Sequence, residues 1–252
     1  VKMTRHLLSE GVPTACTTIE EVGSTGVGAL TVGFIIFAVC TVVFLAKANT
    51  SGEQRKYYYC STYICGFAAM AYFAMLSGQG WTAIAGCRQF FYARFADYII
   101  TMPLIILLLG QVAGADVPTI AATIGASSVW IIALYMGSVS VVTTVKWFWF
   151  LLSIGALAAV IVALARSFKE ASMQRYPEVA ELYGKAAWLI ILAFFCYPVV
   201  WLFSEGFASF SVSFEICAYT ILDVVTKVLV SFMVMSGHDA LREGPAANKD
   251  FF

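Results

Sequence analysis

The chain has 252 residues, 61% of them hydrophobic and only 12% charged, with no formal net charge and a mean hydropathy of +0.85. Soluble domains are about half apolar and about a quarter charged, so this composition excludes one and predicts an integral, multi-pass membrane protein, with the plasma membrane the expected location. The zero net charge offers nothing to a nucleic acid. No metal is expected, because the seven cysteines show neither a C-x-x-C nor a Cys/His metal spacing.

Residues 1–23 carry Lys2, Arg5, His6 and Glu10 without a continuous apolar core, and are expected to be an external segment rather than a signal peptide. A membrane span needs about 20 mostly apolar residues. Seven such stretches follow, at 24–46, 57–78, 92–111, 117–138, 144–166, 182–204 and 212–236, and 24–236 is taken as one helical domain. The connections are short except for the polar stretch from Arg166 to Lys185. Gly125, Ser127, Ser128, Ser153 and Gly155 are the small residues that let membrane helices pack closely. Cys40, Cys60, Cys65, Cys196 and Cys217 lie inside apolar runs and read as small buried hydrophobes. Cys16 and Cys87 lie outside them and are free to pair, which the sequence leaves open. Residues 237–252 are expected to be a short polar tail without a kinase or cyclase domain, and no enzymatic activity is expected.

Orientation follows from the connections. Lys47, Arg55, Lys56, Arg166, Lys169, Arg175, Lys185, Arg242 and Lys249 fall on one side; Lys2, Arg5, Arg88 and Lys146 fall on the other. This predicts an all-α bundle of seven transmembrane helices with the amino terminus outside and the carboxyl terminus in the cytoplasm.

The third span opens with Arg94-Phe95-Ala96-Asp97-Tyr98-Ile99-Ile100-Thr101-Met102-Pro103, in which Arg94, Asp97 and Thr101 recur on one helix face. The seventh places Lys227 near its middle and Asp223 one turn earlier on the same side. Isolated charges are expensive in hydrocarbon. Two acids and two bases on facing helices sum to zero, the inexpensive way to bury them. A structural quartet meets that condition. So does a buried amine that forms a Schiff base with an aldehyde, which in addition needs a counterion and an apolar pocket. In the sixth span Phe194, Phe195, Tyr197, Pro198 and Trp201 supply candidate pocket walls, with Phe194, Tyr197 and Trp201 on one face. The fifth adds Trp147, Phe148, Trp149, Phe150 and Ser153, whose first aromatics also fit an interfacial belt.

Three segments, Arg-Phe-Ala-Asp-Tyr-x-x-Thr-x-Pro from Arg94, Tyr-Pro-Val-Val-Trp-Leu from Tyr197 and Leu-Asp-x-x-x-Lys from Leu222, closely resemble the microbial (type 1) rhodopsins, typified by bacteriorhodopsin. The resemblance runs from about residue 24 to 237, with order and spacing in agreement. It implies all-trans retinal bound covalently to Lys227 as a protonated Schiff base. It also implies Asp97 as primary counterion and proton acceptor, Asp223 as second carboxylate and Arg94 as the gate. By position, Glu205 and Glu215 resemble the paired glutamates that release a proton outward; solvated loop acids are the alternative. The implied pocket comprises Tyr98, Thr101, Met102, Ile105, Trp130, Leu134, Phe150, Ser153, Leu157, Phe194, Tyr197, Pro198, Trp201 and Thr226. Tyr98, Phe150 and Phe194 replace tryptophans common in the family. Ser127, Trp130 and Leu134 are expected near the ionone end, Leu134 where a smaller residue is usual.

A donor carboxylate should stand eleven residues after Asp97, ~16 Å along the same face; that position is Leu108. The expectation is an outward light-driven proton pump with slow return of the proton, its partners being the bilayer and protons, with a homo-oligomer as the expected assembly. A sensory rhodopsin signalling through a transducer is the alternative, favoured by Leu108. A light-gated channel ranks lower because the spans carry few polar residues. An acid at the counterion position argues against chloride, and Asp97-x-x-x-Thr101 is not the Asn-Asp-x-x-Gln of sodium pumps. Asp-Arg-Tyr and Asn-Pro-x-x-Tyr, the signatures of G-protein-coupled receptors, are absent from the sequence.

Overall fold

In a computed structural model, residues 16, 18–49, 52–237, 239 and 241 are described. Lys2, Arg5, His6, Glu10, Arg242 and Lys249 lie outside them, as does most of the expected 1–23 segment and 237–252 tail. Seven helices are long and apolar enough to cross a bilayer: α1 Ser24–Ala48, α2 Arg55–Leu76, α3 Tyr92–Ala113, α4 Val117–Val139, α5 Thr143–Met173, α6 Pro177–Gly206 and α7 Val212–Ser236. The protein is an integral, multi-pass membrane protein.

Both faces of a membrane helix are apolar, so burial rather than hydrophobicity shows which side packs. In α1 the buried residues Leu30, Gly33, Phe37, Cys40 and Phe44 recur at three and four residues, the helical period. Val32, Ile35, Val39 and Val42 are exposed on the opposite side, where lipid would lie. Consecutive helices from α1 to α5 are neighbours, while α7 packs on α1 and α6. The helix α3 is the most deeply buried span and carries Pro103 in its interior.

The polar stretch from Arg166 to Lys185 is not a loop, which corrects the expectation above. Helix α5 continues to Met173 and α6 begins at Pro177, leaving only 174–176 between them. A 31-residue helix is about 46 Å long against a hydrocarbon core of ~30 Å. Its polar end therefore stands clear of the hydrocarbon without unwinding. Tyr183 donates to the Leu164 carbonyl (2.6 Å), and Leu164, Phe168, Val179 and Ala186 are buried between the two extensions. Pro177 at the first helical position starts α6.

A hairpin between α2 and α3 has no counterpart in the sequence reading. Strands β1 Thr82–Ile84 and β2 Arg88–Phe90 pair antiparallel, with Thr82 opposite Phe90, around a turn in which Gly86 and Cys87 both take positive φ. Glu20 joins as a parallel bridge to Arg88, its amide donating to the Cys87 carbonyl (2.8 Å) and its carbonyl accepting from Gln89 (3.0 Å). Cys16 and Cys87 form a disulfide, so the pairing left open by sequence is made. Cys40, Cys60 and Cys65 are buried thiols as expected, while Cys196 and Cys217 are half-buried.

Helical winding loosens to wider i→i+5 turns at Ala163–Phe168, Leu202–Gly206 and Val224–Leu229, a distortion frequent at functional sites. The third of these carries Thr226 and Lys227. One core cluster is centred on α3 to α6 and takes in residues of α2 and α7, and a second is centred on α1, α2 and α7. Lys227 sits where the two meet, with its amine 5.8 Å from the Phe37 ring on one side and 5.0 Å from the Tyr98 ring on the other.

Candidate functional site: a buried amine between two carboxylates

Lys227 is completely buried. Its amine donates a short hydrogen bond to Asp97 Oδ2 on α3 and lies 3.5 Å from Asp223 Oδ1 on its own helix. The two carboxylates are held differently. Asp223 accepts from Tyr72 at Oδ2 (2.8 Å) and from Tyr197 at Oδ1 (2.7 Å), and Tyr197 Oη also lies 3.1 Å from Thr226 Oγ1. Asp97 Oδ1 has no hydrogen-bond partner among the described residues. Thr101 donates to the Asp97 carbonyl (3.0 Å), not to its carboxylate. A buried charge without its partner costs about 3–5 kcal/mol, so amine and acids stabilise one another in place.

The four expected charges do not form one quartet. Arg94 points away from Asp97 and donates to Glu215 Oε1 (2.7 Å), its guanidinium lying 4.1 Å from the Tyr219 ring centroid. It belongs to a second buried cluster nearer the hairpin. There Arg88 donates to Glu215 Oε2 (2.7 Å) and to the Phe210 carbonyl (2.6 Å). Glu205 and Glu215 are not solvated loop acids, since both are buried. Both Glu205 oxygens are buried without a partner among the described residues, while its backbone carbonyl accepts from Lys146 (2.8 Å).

Beyond the amine runs a row of aromatic rings. Tyr98 and Tyr197 meet edge to face at 5.4 Å, Trp130 packs on Phe194 at 5.0 Å, and Phe150 stacks on Trp201 at 5.0 Å. Thr101, Met102, Ile105, Leu134, Ser153, Leu157, Pro198 and Thr226 are buried, as is Ser127; Phe150 is half-buried. Trp201 donates to Ser138 (2.7 Å). Phe195 and Phe148 face outward, 54% and 64% exposed, and are not pocket walls. Phe150, Leu157 and Pro198 also border a groove of about 350 Å³ between α5 and α6, shared with Phe195 and Val199.

These residues fit a long apolar aldehyde. The amine is nucleophilic chemistry at one end of an aromatic row, with carboxylates to balance a cation. Tyr98 Oη and Trp130 Nε1 are buried along the row without partners among the described residues, polar atoms that protein alone leaves unsatisfied. No group of three or more metal-ligating side chains occurs among the described residues. At the end opposite the hairpin, Leu108 is fully buried, with Ser61 Oγ and Gln111 Oε1 buried and unpartnered among the described residues. Asp116, beyond α3, caps α4 by accepting from the Thr119 amide (3.1 Å); the Thr119 hydroxyl first, and this amide after it, hold its carboxyl below the usual carboxylate range.

Two participants escaped the sequence reading. Tyr72 looked like one more aromatic in an apolar span, and Arg88 like a solvated loop base. The available signal for Arg88 was its place six residues before Arg94, close enough to reach the same carboxylate, but the hairpin that turns it inward was not legible.

A bundle of seven membrane-spanning helices around a buried lysine, two carboxylates and an aromatic row is the arrangement of a rhodopsin-type site. The chain belongs to the bacteriorhodopsin-like family of microbial rhodopsins, which residues 27–241 match. Archaerhodopsin-3 of Halorubrum sodomense is 28% identical over 223 residues, covering 86% of each chain. Sensory rhodopsin-2 of Natronomonas pharaonis is 30% identical over 212 residues, covering 83% of this chain and 88% of that one. The solved structure of the light-driven proton pump rhodopsin of Coccomyxa subellipsoidea superposes with a TM-score of 0.85 at 26% identity, covering 88% of this chain and 100% of that one. The protein is a light-activated rhodopsin, and its family implies a retinal chromophore.

Proposed function

We propose that the protein is an outward light-driven proton pump whose dark state recovers slowly. The observation that carries this reading is the asymmetry about Lys227. Toward the hairpin lie Asp97, whose Oδ1 has no hydrogen-bond partner among the described residues, then Arg94, Glu215 and Glu205; toward the other end lies Leu108. All-trans retinal joined to Lys227 as a protonated Schiff base would supply a light-driven isomerisation that redirects the Nζ–H bond.

Asp223, with both oxygens occupied by tyrosine hydroxyls, stays an anion and steadies the positive Nζ. Asp97, which already takes the Lys227 hydrogen bond at Oδ2, accepts the proton from Lys227 Nζ. Once Asp97 is neutral, the inward pull on Arg94 weakens and its bond to Glu215 strengthens. Glu205 then gives up a proton at the hairpin end. Leu108 holds no proton, so Lys227 Nζ regains one only through water from the opposite end, a slow step that depends on pH. Tyr98, Tyr197, Trp130, Phe194 and Trp201 line the row and exclude water from it. The basic residues Lys47, Arg55, Lys56, Arg166, Lys169, Arg175 and Lys185 stand at the end opposite the hairpin, which supports a cytoplasmic placement of that end. The work is movement of a proton, not turnover of a substrate; a homo-oligomer in the plasma membrane is part of this reading.

Leu108 also favours a second reading, a sensor whose lit state persists long enough to act on a transducer, as the 30% identity to a sensory rhodopsin permits. Illuminating retinal-loaded protein in unbuffered vesicles without any partner separates the two. Sustained light-driven proton movement, lost in Lys227→Ala, supports the pump. A photocycle of seconds without net transport supports the sensor. Borohydride under light that fixes no pigment to Lys227 overturns both.

A further inference from the structure

Arg88 sits in β2 opposite Ile84, next to the disulfide at Cys87. Although a hairpin residue, it is 4% exposed. Its guanidinium donates to three acceptors: Glu215 Oε2 at 2.7 Å, the Phe210 carbonyl at 2.6 Å and Glu20 Oε2 at 3.3 Å. Glu20 is itself tied to α7, its Oε1 accepting from the Val212 amide (3.2 Å). Glu215 therefore takes one guanidinium on each oxygen, Arg88 on Oε2 and Arg94 on Oε1. Glu205 takes neither, and both its oxygens are buried without a partner among the described residues.

Charge balance separates the two acids. The buried cations Arg88, Arg94 and Lys227 equal in number the buried anions Glu215, Asp97 and Asp223, two guanidiniums sharing Glu215 and two carboxylates sharing Lys227. Glu20 is half-exposed and its charge is shared with water. A further anion at Glu205 would be buried and uncompensated, which costs far more than a neutral carboxyl.

We propose that Arg88 is a positioning residue that divides the labour of the two glutamates: it holds Glu215 as a permanent anion and outward station for Arg94, and leaves Glu205 as the sole carrier of the releasable proton. The consequence for transport rests on the pump reading; the charge assignment does not. The groups facing Glu215 are Arg88 from β2, Arg94 from α3, Glu205 from the end of α6, Tyr219 from its own helix and, through Arg88, Glu20 from the amino-terminal strap. Glu205 is faced by Glu215 and, from α5, by the half-buried Lys146, whose amine is bonded to the Glu205 backbone carbonyl and not to its carboxyl. Removing Arg88 leaves Arg94 as the one guanidinium on the two acids, so the pair keeps a further proton.

Infrared spectra of the retinal-free protein in membranes test the assignment without transport. The parent should show a buried neutral carboxyl band that Glu205→Gln abolishes. Arg88→Gln should add a second such band, while Arg88→Lys, which keeps the charge but not the fork, should keep one. In the loaded protein, the pH above which proton release precedes recovery should rise by about 1 unit or more in Arg88→Gln and stay near the parent value in Arg88→Lys. A neutral-carboxyl band that survives Glu205→Gln overturns the proposal. So does an Arg88→Gln protein with a lowered melting temperature but the parent's infrared spectrum, the mark of a purely structural arginine. Failure of light-driven transport with the infrared result intact would instead remove the pump reading.

Discussion

A single ammonium at the centre of a bilayer costs roughly 2.5–3.5 kcal/mol on insertion scales, and Lys227 escapes that cost through two acids in unequal settings. Asp223 is saturated by Tyr72 and Tyr197, whereas Asp97 keeps one oxygen open. That inequality, more than distance, is what supports the proposed acceptor role of Asp97. Asp97→Asn should red-shift the absorption of the retinal-loaded protein, because a neutral amide stabilises the adjacent cation less, and should abolish outward proton movement. An Asp97→Asn protein that transports as well as the parent would refute the acceptor role. On the other side, Leu108→Asp should speed dark-state recovery, read by flash photolysis, since a proton held one acid away replaces one drawn from bulk water. Lys227, Asp223 and Asp97 were legible because ionisable groups in apolar runs have few other uses. Tyr72 was not, because an aromatic ring satisfies an apolar pattern whether or not its hydroxyl has a partner.

Among the elements, the approach of α1 to α2 sets the Tyr72 clamp. Gly33 faces the Tyr72 ring so closely that an added Cβ would lie 2.4 Å from Cε1, inside van der Waals contact. Gly33→Ala should displace Tyr72 from Asp223 Oδ2, leaving a buried charged acceptor short of a donor at a cost of about 1–3 kcal/mol. A lower melting temperature with a shifted absorption maximum is the expected result, and Gly28→Ala, where the added Cβ meets nothing within 4 Å, should change neither. The seventh helix and most span edges were legible to within a few residues, since hydrocarbon thickness dictates their length. The α5 and α6 ends were not, because polarity reports departure from lipid and says nothing about whether the helix stops. The hairpin was too short to carry a pattern, and with it went the inward turn of Arg88.

For the whole molecule, the hairpin end with its disulfide strap and acid cluster should face outward and the long α5–α6 extensions should face the cytoplasm. A Lys169→Cys protein, altered on the α5 extension, should react there with an impermeant thiol reagent in inside-out vesicles and remain unlabelled at that site on intact cells. The reverse pattern would invert the direction of any proton movement. The same axis separates the two ends chemically: a linked chain of charges toward the hairpin, and toward the basic end Leu108 with Ser61 Oγ and Gln111 Oε1 unpartnered among the described residues.

The amino-acid order alone determined that seven spans cross a bilayer and that an amine near the middle of the last must meet acids, Asp97 of the third and Asp223 of its own, because an unpaired charge in hydrocarbon is too costly to leave unanswered. Which partner each charge takes was decided only in three dimensions. Arg94 turning to Glu215, Arg88 entering from the hairpin and the Glu205 carboxyl left without an ion pair among the described residues depend on how helix ends and a short strand pair converge. Hydrogen-bond geometry of that kind is set by angstroms between elements distant in sequence, and no spacing along the chain encodes it.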